Sequence, residues 1–255
     1  MARKKTLAYK EAAGHFVKRA QKYNSSSQWV DDAGLIGKIR NLVNVGHEAR
    51  VLDIAIGTGK IAQAFYGQVK YVVGVDICKD MVCQARRCAD QIVLALAERL
   101  PFKNNTFDVC VCRQGLQFMD IKAVLSEIFR VLKFGGHALS CHLTAYAEED
   151  QNETFYIQRL RNPARKNFFL PGDIQRLMRE HNFSGIDYFE YITRESVNQW
   201  INNAAIDGTQ RMKIREAYIN SSELFRKLHA IEFKNGDIFD SMKMVIVKAK
   251  KSNGG

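Results

Sequence analysis

Short apolar segments alternate with amphipathic segments between about residue 50 and residue 143. The apolar runs lie at 51–56, 71–75, 92–96, 107–112 and 137–143, and each is too short for a core helix. The segments at 60–66, 79–88 and 121–132 have helical periodicity. Alternating strands and helices are typical of a mostly parallel sheet covered by helices. The pattern therefore predicts a βα repeat that carries five strands.

The segments on both sides of this repeat are mainly helical. We predict helices at 7–22 and 28–44, separated by the polar residues 24–27, whose short side chains favour turns and helix N-caps. We read 1–45 as a helical arm and 46–255 as the main domain.

The C-terminal part adds to the sheet. A helix at 173–181 leads into a strand at 186–192, and another helical segment covers 196–228. The Asn-Gly pair at 235–236 favours a tight hairpin, so we expect the final strand, at 242–249, to run antiparallel to its neighbour.

Composition places limits on compartment and partners. The 255 residues contain no apolar run of membrane-spanning length, and the N-terminus lacks the apolar segment of a signal peptide. We expect a cytoplasmic protein without membrane insertion and leave its oligomeric state open. The six cysteines lack the usual zinc spacings, so no metal is predicted. The net charge of +11 is scattered over separate clusters. Solvated surface is the favoured interpretation, with an anionic small substrate or RNA as the alternatives.

Two features indicate a nucleotide-like cofactor. Gly57, Thr58 and Gly59 follow the first predicted strand and precede a helix, where the backbone can approach a ligand closely. Asp76 ends the second strand, where a carboxylate can accept hydrogen bonds from both hydroxyls of a ribose. The glycine pattern also fits dinucleotide-binding enzymes, so these features alone do not separate NAD from S-adenosylmethionine.

Four sequence blocks separate them. VLDIAIGTG, VVGVDICKDMV, ALAERLPFKNNTFDVCVCRQGLQFM and RVLKFGG begin at residues 51, 72, 95 and 130. In this order they resemble class I S-adenosylmethionine-dependent methyltransferases, particularly the type 11 group that includes ubiquinone/menaquinone-biosynthesis enzymes. The resemblance implies an α/β, Rossmann-like fold with a mostly parallel seven-stranded sheet and an antiparallel last strand. The arm and insertions at about 145–170 and 196–228 would form a helical cap.

The resemblance also implies roles for single residues. Asp53 would fix the glycine loop near the amino-acid end of S-adenosylmethionine, and Asp76 would bind the ribose. Ala55 replaces a glycine of the family, and Leu96 replaces an aspartate that often binds the adenine. The adenine would then depend on apolar contacts and nearby backbone. The predicted cofactor-binding residues are Tyr23, Asp53, Ala55, Gly57, Gly59, Asp76, Ile77, Met81, Ala97, Glu98 and Arg113.

Methyl transfer from a sulfonium mainly needs alignment, and a general base only when the acceptor is protonated. Catalytic candidates are His142 as a base, Gln114 for substrate contact and Tyr23 as an aromatic wall. Arg161, Arg165 and Lys166 would suit an anionic substrate, although a solvated helix face is the favoured interpretation.

We therefore predict methyl transfer to a small-molecule substrate. An NAD-dependent oxidoreductase is one alternative, although Asp53 and the later blocks argue against it. A nucleic-acid methyltransferase is favoured by the charge, but the chain lacks an Asn/Asp-Pro-Pro-aromatic motif. A non-catalytic cofactor-binding module of the same fold is the third alternative, because Ala55 and Leu96 depart from the family pattern.

Overall fold

The computed structural model describes residues 13–252, so part of the predicted helix at 7–22 lies outside the described residues. Residues 13–19 are helical (α1), and short 3-10 turns follow at Ala20–Lys22 and Asn24–Ser26. The predicted helix at 28–44 is divided into α2 (Gln28–Asp31) and α3 (Ala33–Asn41). Asp32 causes the division, because its backbone is extended and its carboxylate accepts the Leu35 N–H at 3.0 Å as the N-cap of α3.

The predicted βα repeat is confirmed. Its elements are β1 (Arg50–Ile54), α4 (Lys60–Phe65), β2 (Tyr71–Asp76), α5 (Lys79–Ala85), β3 (Gln91–Leu94), β4 (Phe107–Arg113), α6 (Ile121–Val131) and β5 (Leu132–Leu143). One boundary is wrong: the predicted break at Gly135-Gly136 lies inside β5. Gly135 has φ 75°, and the β4–β5 register shifts between Phe107 and Val109, so the glycines form an irregularity within a longer strand.

The described C-terminal part contains five helices and three strands, and α9 to α11 divide the predicted segment 196–228. The elements are α7 (Gln151–Arg161), α8 (Asp173–Glu180), β6 (Phe183–Ser196), α9 (Val197–Ile201), α10 (Gly208–Ile219), α11 (Glu223–Leu228), β7 (Glu232–Lys234) and β8 (Asp237–Lys251). The predicted hairpin joins β7 to β8, and both Asn235 and Gly236 have positive φ, as this tight turn requires.

The sheet has the order β3-β2-β1-β4-β5-β8-β6, with the short β7 paired to β8. The first five strands are parallel, and β8 is antiparallel to both β5 and β6. The described residues thus form eight strands, one more than predicted, because β7 was expected only as a hairpin arm. After β3 the chain returns to the other side of β1, so a crevice opens at the carboxyl ends of β1 and β4.

Two apolar cores cover the two faces of the sheet. Alternate residues of each strand point to opposite faces, so Val51 joins one core while Leu52 joins the other. Helices α3, α4, α5, α7 and α9 to α11 cover the first face, and α6 and α8 cover the second. No helix within residues 13–252 is long and apolar enough to cross a membrane.

Candidate active site

The loops that follow β1 to β4 meet at the carboxyl edge of the sheet and enclose a chamber, which we call the first chamber. The space between its walls is about 700 Å³, which includes the part that is open to solvent. It is lined by Phe16, Tyr23, Ala55, Gly57, Val75, Asp76, Ile77, Met81, Ala95, Leu96, Ala97, Glu98, Arg113, Gln114, Gly115, Phe118 and Met119. The site lies at the topological switch point, where open α/β sheets bind ligands.

The turn after β1 needs left-handed backbone at three positions. Ala55, Gly57 and Gly59 have φ values of 56°, 56° and 85°. A Cβ atom on Gly59 would lie 2.6 Å from the Cβ of Cys88, so a side chain has no room there. Gly59 therefore shapes the turn from beneath and does not line the chamber. Ala55 lies in the wall of the chamber and carries the backbone strain of a non-glycine residue in this region.

Asp76 connects the turn to the second strand. Its Oδ2 accepts the Gly57 N–H and its Oδ1 accepts the Cys78 N–H, both at 2.9 Å. Burial raises the pKa of this carboxyl, and the Cys78 and Gly57 N–H groups are among the backbone donors that oppose that shift. A carboxylate has about four acceptor positions, so these two bonds leave Asp76 able to accept hydrogen bonds from a ligand in the chamber. Its bond to Cys78 also supports the start of α5.

Asp53 supports the same turn without touching the chamber. It is only 2% exposed, and its Oδ2 accepts the Ala62 N–H at 2.9 Å. Burial raises the pKa of Asp53 to about 7, although the nearby Arg113 guanidinium favours the charged form. The bond joins β1 to the first turn of α4, so Asp53 holds the loop from below.

The opposite side of the first chamber is apolar. Ile77, Met81 and Leu96 line it, and Ala97 and Glu98 are also among its lining residues. The Oε1 atom of Glu98 accepts the Asp120 N–H at 2.9 Å, which fixes the Glu98 side chain.

An apolar wall for a flat base, a carboxylate for ribose hydroxyls and a tight glycine-containing turn before a helix fit an adenosine-containing cofactor.

The N-terminal arm closes the chamber. Thr58 in the turn donates its hydroxyl hydrogen to the Oδ1 of Asn24 at 2.7 Å. Arg113, at the end of β4, donates to the Trp29 carbonyl at 3.0 Å and its guanidinium lies 5.3 Å from the Trp29 ring. Tyr23, next to Asn24 in sequence, is one of the residues that line the chamber. Arg113 thus lines the chamber and also holds the arm against the sheet edge.

A second chamber lies beyond Tyr23 and Gln114, with an empty volume of about 420 Å³. The two chambers share Phe16, Tyr23, Gln114 and Phe118 as wall residues. The second chamber is lined by Phe16, Arg19, Tyr23, Trp29, Gln114, Gln117, Phe118, Leu143, Gln158, Arg161, Asn162, Arg165 and Trp200. The arm and both predicted cap insertions therefore contribute to it, and no carboxylate or imidazole is among these described lining residues.

Gln114 stands between the chambers in a strained conformation. It follows the last residue of β4 with φ 56°, which costs of the order of 1 kcal/mol or more for a residue with a side chain. Its Oε1 accepts from Gln117 at 2.7 Å, and its buried Nε2 has no hydrogen-bond partner. The amide hydrogens of Gln114 are thus available to a bound molecule.

The position of His142 does not support a role as general base. The side chain is completely buried and lines neither chamber. Its Nδ1 is 3.0 Å from the Oε1 of Gln117, which in turn bonds Gln114. Burial, with a smaller effect of Arg165, lowers the pKa of His142 to about 3. His142 therefore lies behind the chamber wall as a neutral ring.

The basic group on the cap also differs from expectation. Arg161 is only 6% exposed, so the interpretation of this group as a solvated helix face is wrong for that residue. Arg161 and Arg165 line the second chamber, whereas Lys166 is exposed and does not. Sequence reasoning missed several wall residues: Phe16, Arg19, Trp29, Phe118, Met119, Gln158 and Trp200. Phe118 and Met119 end the third sequence block, whereas the others lie far apart along the chain and belong to no motif, so no local signal marks them.

Comparison with known proteins gives the family. Residues 52–140 match a family described as a methyltransferase domain. An uncharacterized protein, MJ1123, of Methanocaldococcus jannaschii is 29% identical over 80% of this chain and 92% of its own length. The ubiquinone/menaquinone biosynthesis C-methyltransferase UbiE of Burkholderia vietnamiensis is 42% identical over 38% of this chain and 44% of its own length.

The uncharacterized methyltransferase YcgJ of Bacillus subtilis is 32% identical over 58% of this chain, which spans 62% of that relative. The crystal structure of YcgJ superimposes with a TM-score of 0.79 at 23% identity and covers 86% of this chain and 98% of that structure. YcgJ therefore shares the fold. The match to UbiE is confined to less than half of either protein.

The fold and the first chamber define a class I, Rossmann-like methyltransferase, as the sequence blocks predicted. Residues 52–140 belong to the methyltransferase-domain family, and the chain is an S-adenosylmethionine-dependent methyltransferase. S-adenosylmethionine is its cofactor. The alternative of an NAD-dependent oxidoreductase is thereby set aside.

Proposed function

We propose that the chain transfers the methyl group of S-adenosylmethionine to a small molecule bound in the second chamber. The observation that carries this proposal is the common wall: Tyr23 and Gln114 line both chambers. The name of the relative UbiE, which refers to ubiquinone/menaquinone biosynthesis, is consistent with a small-molecule acceptor. The arm and the cap insertions limit the second chamber to a compact acceptor. The cytoplasmic location expected from the sequence stays a prediction.

The residues around the first chamber have distinct proposed roles. Asp76 accepts hydrogen bonds from the ribose, and the turn containing Ala55 and Gly57 supports the amino-acid end. Ile77 and Met81 pack on the adenine, with backbone contacts from Ala97 and Glu98. Asp53 and Gly59 act indirectly by fixing the turn. When bound, the cofactor supplies a methyl group on a positively charged sulfur, which departs as a neutral thioether.

The second chamber aligns the acceptor and excludes water. Well-oriented reactants gain roughly 7–11 kcal/mol relative to free encounter. Tyr23 provides an aromatic wall, and Gln114 offers an amide N–H to the acceptor. Because the lining residues described include no carboxylate or imidazole, the acceptor atom must carry a reactive lone pair without help from such a base.

Methyl-labelled S-adenosylmethionine tests this proposal. The enzyme is incubated separately with dialysable small molecules, RNA and protein from a cell extract. We expect label in the small-molecule fraction. Label only in RNA or protein would overturn the small-molecule assignment, and release of no label into any fraction would favour a non-catalytic module.

A matched pair of variants on α7 locates the acceptor. Gln158 lines the second chamber but not the first, whereas Asn152 is exposed on the same helix. Gln158→Ala should lower turnover while the affinity for S-adenosylhomocysteine is unchanged, and Asn152→Ala should alter neither. Equal turnover in the two variants would place the acceptor elsewhere.

A further inference from the structure

Three arginines from separate parts of the chain meet at the second chamber. Arg19 belongs to the arm, Arg161 ends α7, and Arg165 lies in the loop that follows. Arg19 and Arg161 are only 3% and 6% exposed, although guanidinium groups are strongly disfavoured in protein interiors unless they are paired. Their burial requires a compensating partner.

The protein supplies only part of this compensation. Arg161 donates to the Trp200 carbonyl and the Ser27 hydroxyl, and Arg165 donates to a backbone carbonyl. The Nε and Nη2 of Arg19 and the Nη2 of Arg165 are buried without a hydrogen-bond partner. Within residues 13–252, none of the three guanidinium groups forms an ion pair with a carboxylate.

One carboxylate, Glu195, influences the group. It already accepts the N–H groups of Gln28 and Trp29 and the hydroxyl of Thr193. Its charge favours protonated Arg161, whereas burial and the charges of Arg19 and Arg165 lower the pKa of Arg161. With the three guanidinium groups protonated and Glu195 ionised, the formal charges of these four side chains sum to +2.

Neutral side chains of the same chamber add to the excess of donors. The Nε1 of Trp29, the Nε2 of Gln114 and the Nδ2 of Asn162 are buried without partners. Among the described lining residues, one buried acceptor atom, the Oε1 of Gln158, also has no hydrogen-bond partner. Buried polar atoms are almost always hydrogen-bonded in folded proteins. A cluster of N–H donors around one cavity therefore fits a ligand rich in acceptor oxygens.

We infer that the second chamber binds an oxyanion group of the methyl acceptor, and that its charge suits a dianion such as a phosphate monoester better than a single carboxylate. The inference rests on the proposed function for the identity of the acceptor. A phosphate monoester carries about −1.5 to −2 charges at neutral pH, which matches the local excess. Guanidinium groups bind such oxyanions through parallel N–H donors. The shared wall at Tyr23 and Gln114 leaves the methylated atom on the side nearer the cofactor.

Calorimetric titration of inorganic phosphate into the complex of the full chain with S-adenosylhomocysteine tests the inference. Arg19→Gln and Arg165→Gln should each weaken phosphate binding about ten-fold or more. Arg179→Gln removes one exposed charge from α8 and serves as the matched control, with phosphate affinity unchanged. Arg165→Lys should retain part of the affinity because it keeps the charge. Melting temperatures and affinity for S-adenosylhomocysteine show that each variant is folded.

Specific results would overturn the inference. Absence of phosphate binding to the wild-type complex, or an equal loss in Arg179→Gln, would show that the chamber has no oxyanion site. Tighter binding of acetate than of phosphate would overturn the preference for a dianion. If phosphate binds as expected but label from S-adenosylmethionine enters only RNA or protein, the proposed small-molecule function fails and the oxyanion site stands. If small molecules are labelled but phosphate does not bind, the oxyanion site fails and the proposed small-molecule function stands.

Discussion

Replacing Asp76 by alanine removes a carboxylate that the structure connects to both the glycine turn and α5. The wild-type side chain accepts the Gly57 and Cys78 N–H groups at 2.9 Å. Hydrogen bonds to charged groups contribute about 1.5–3 kcal/mol each, and less where the charged group is partly exposed to solvent, as Asp76 is. We expect Asp76→Ala to lower the free energy of unfolding by about 1–3 kcal/mol through these two bonds.

The ribose assignment predicts an additional loss in affinity. A lost bond between the carboxylate and the ribose hydroxyls should weaken binding of S-adenosylhomocysteine by about 1.5–3 kcal/mol, roughly ten- to a hundred-fold. Asp76→Asn should do less damage, because the amide oxygen still accepts one hydrogen bond. Asp80→Ala is the control, since Asp80 is exposed in the first turn of α5 and does not line the chamber.

Calorimetric titration and urea unfolding of the three variants separate the two effects. A second titration uses an analogue of S-adenosylhomocysteine that lacks both ribose hydroxyls. It should bind weakly to the wild type, yet lose little further affinity in Asp76→Ala. Unchanged affinity of the folded Asp76→Ala variant for S-adenosylhomocysteine, or an equal further loss with the analogue, would refute the ribose assignment.

Three other substitutions test which contacts stabilise the folded protein. His229 is buried between Asp150 and Asp240 at 3.0 and 2.8 Å, and although burial opposes protonation, these carboxylates raise the pKa of His229 to about 9; His229→Gln should cost roughly 3–5 kcal/mol. Because the pKa of His229 in the folded protein lies above its ordinary value, this stabilisation is complete below about pH 6.5 and is lost as the pH rises through 9. If the wild type and His229→Gln differ in melting temperature by the same amount at pH 6.5 and above pH 9, the charge of His229 is not the cause. Ala55→Gly relieves left-handed strain at φ 56° and should leave the free energy of unfolding unchanged or raise it by up to about 1 kcal/mol, whereas a clear loss in denaturant unfolding would contradict this. Gly59→Ala meets the Cys88 side chain at 2.6 Å and should destabilise the protein by about 1–3 kcal/mol in the same assay, which a neutral result would disprove.

From the sequence, one could predict those residues of the first chamber that lie at the end of a strand or in the turn that follows it. Gly57 and Asp76 follow apolar runs, and parallel strands bring such ends to one edge of the sheet. Ten of the predicted residues line the first chamber: Tyr23, Ala55, Gly57, Asp76, Ile77, Met81, Ala97, Glu98, Arg113 and Gln114. The backbone of Ala55 is left-handed, which explains why the family that this sequence resembles has glycine at the position.

The second chamber required the tertiary structure, because its wall residues come from five separate parts of the chain. Arg19 reads from sequence as one basic position on an amphipathic helix, yet the fold buries it beside Arg161 and Arg165. His142 shows the limit within a single strand. Successive residues of a strand point to opposite faces, so Leu143 enters the wall of the second chamber while His142 packs behind it against Phe169. The local hydrophobic pattern indicates where a strand ends. Which side chains at that end line the second chamber is decided only by the packing of the arm and the cap on the sheet.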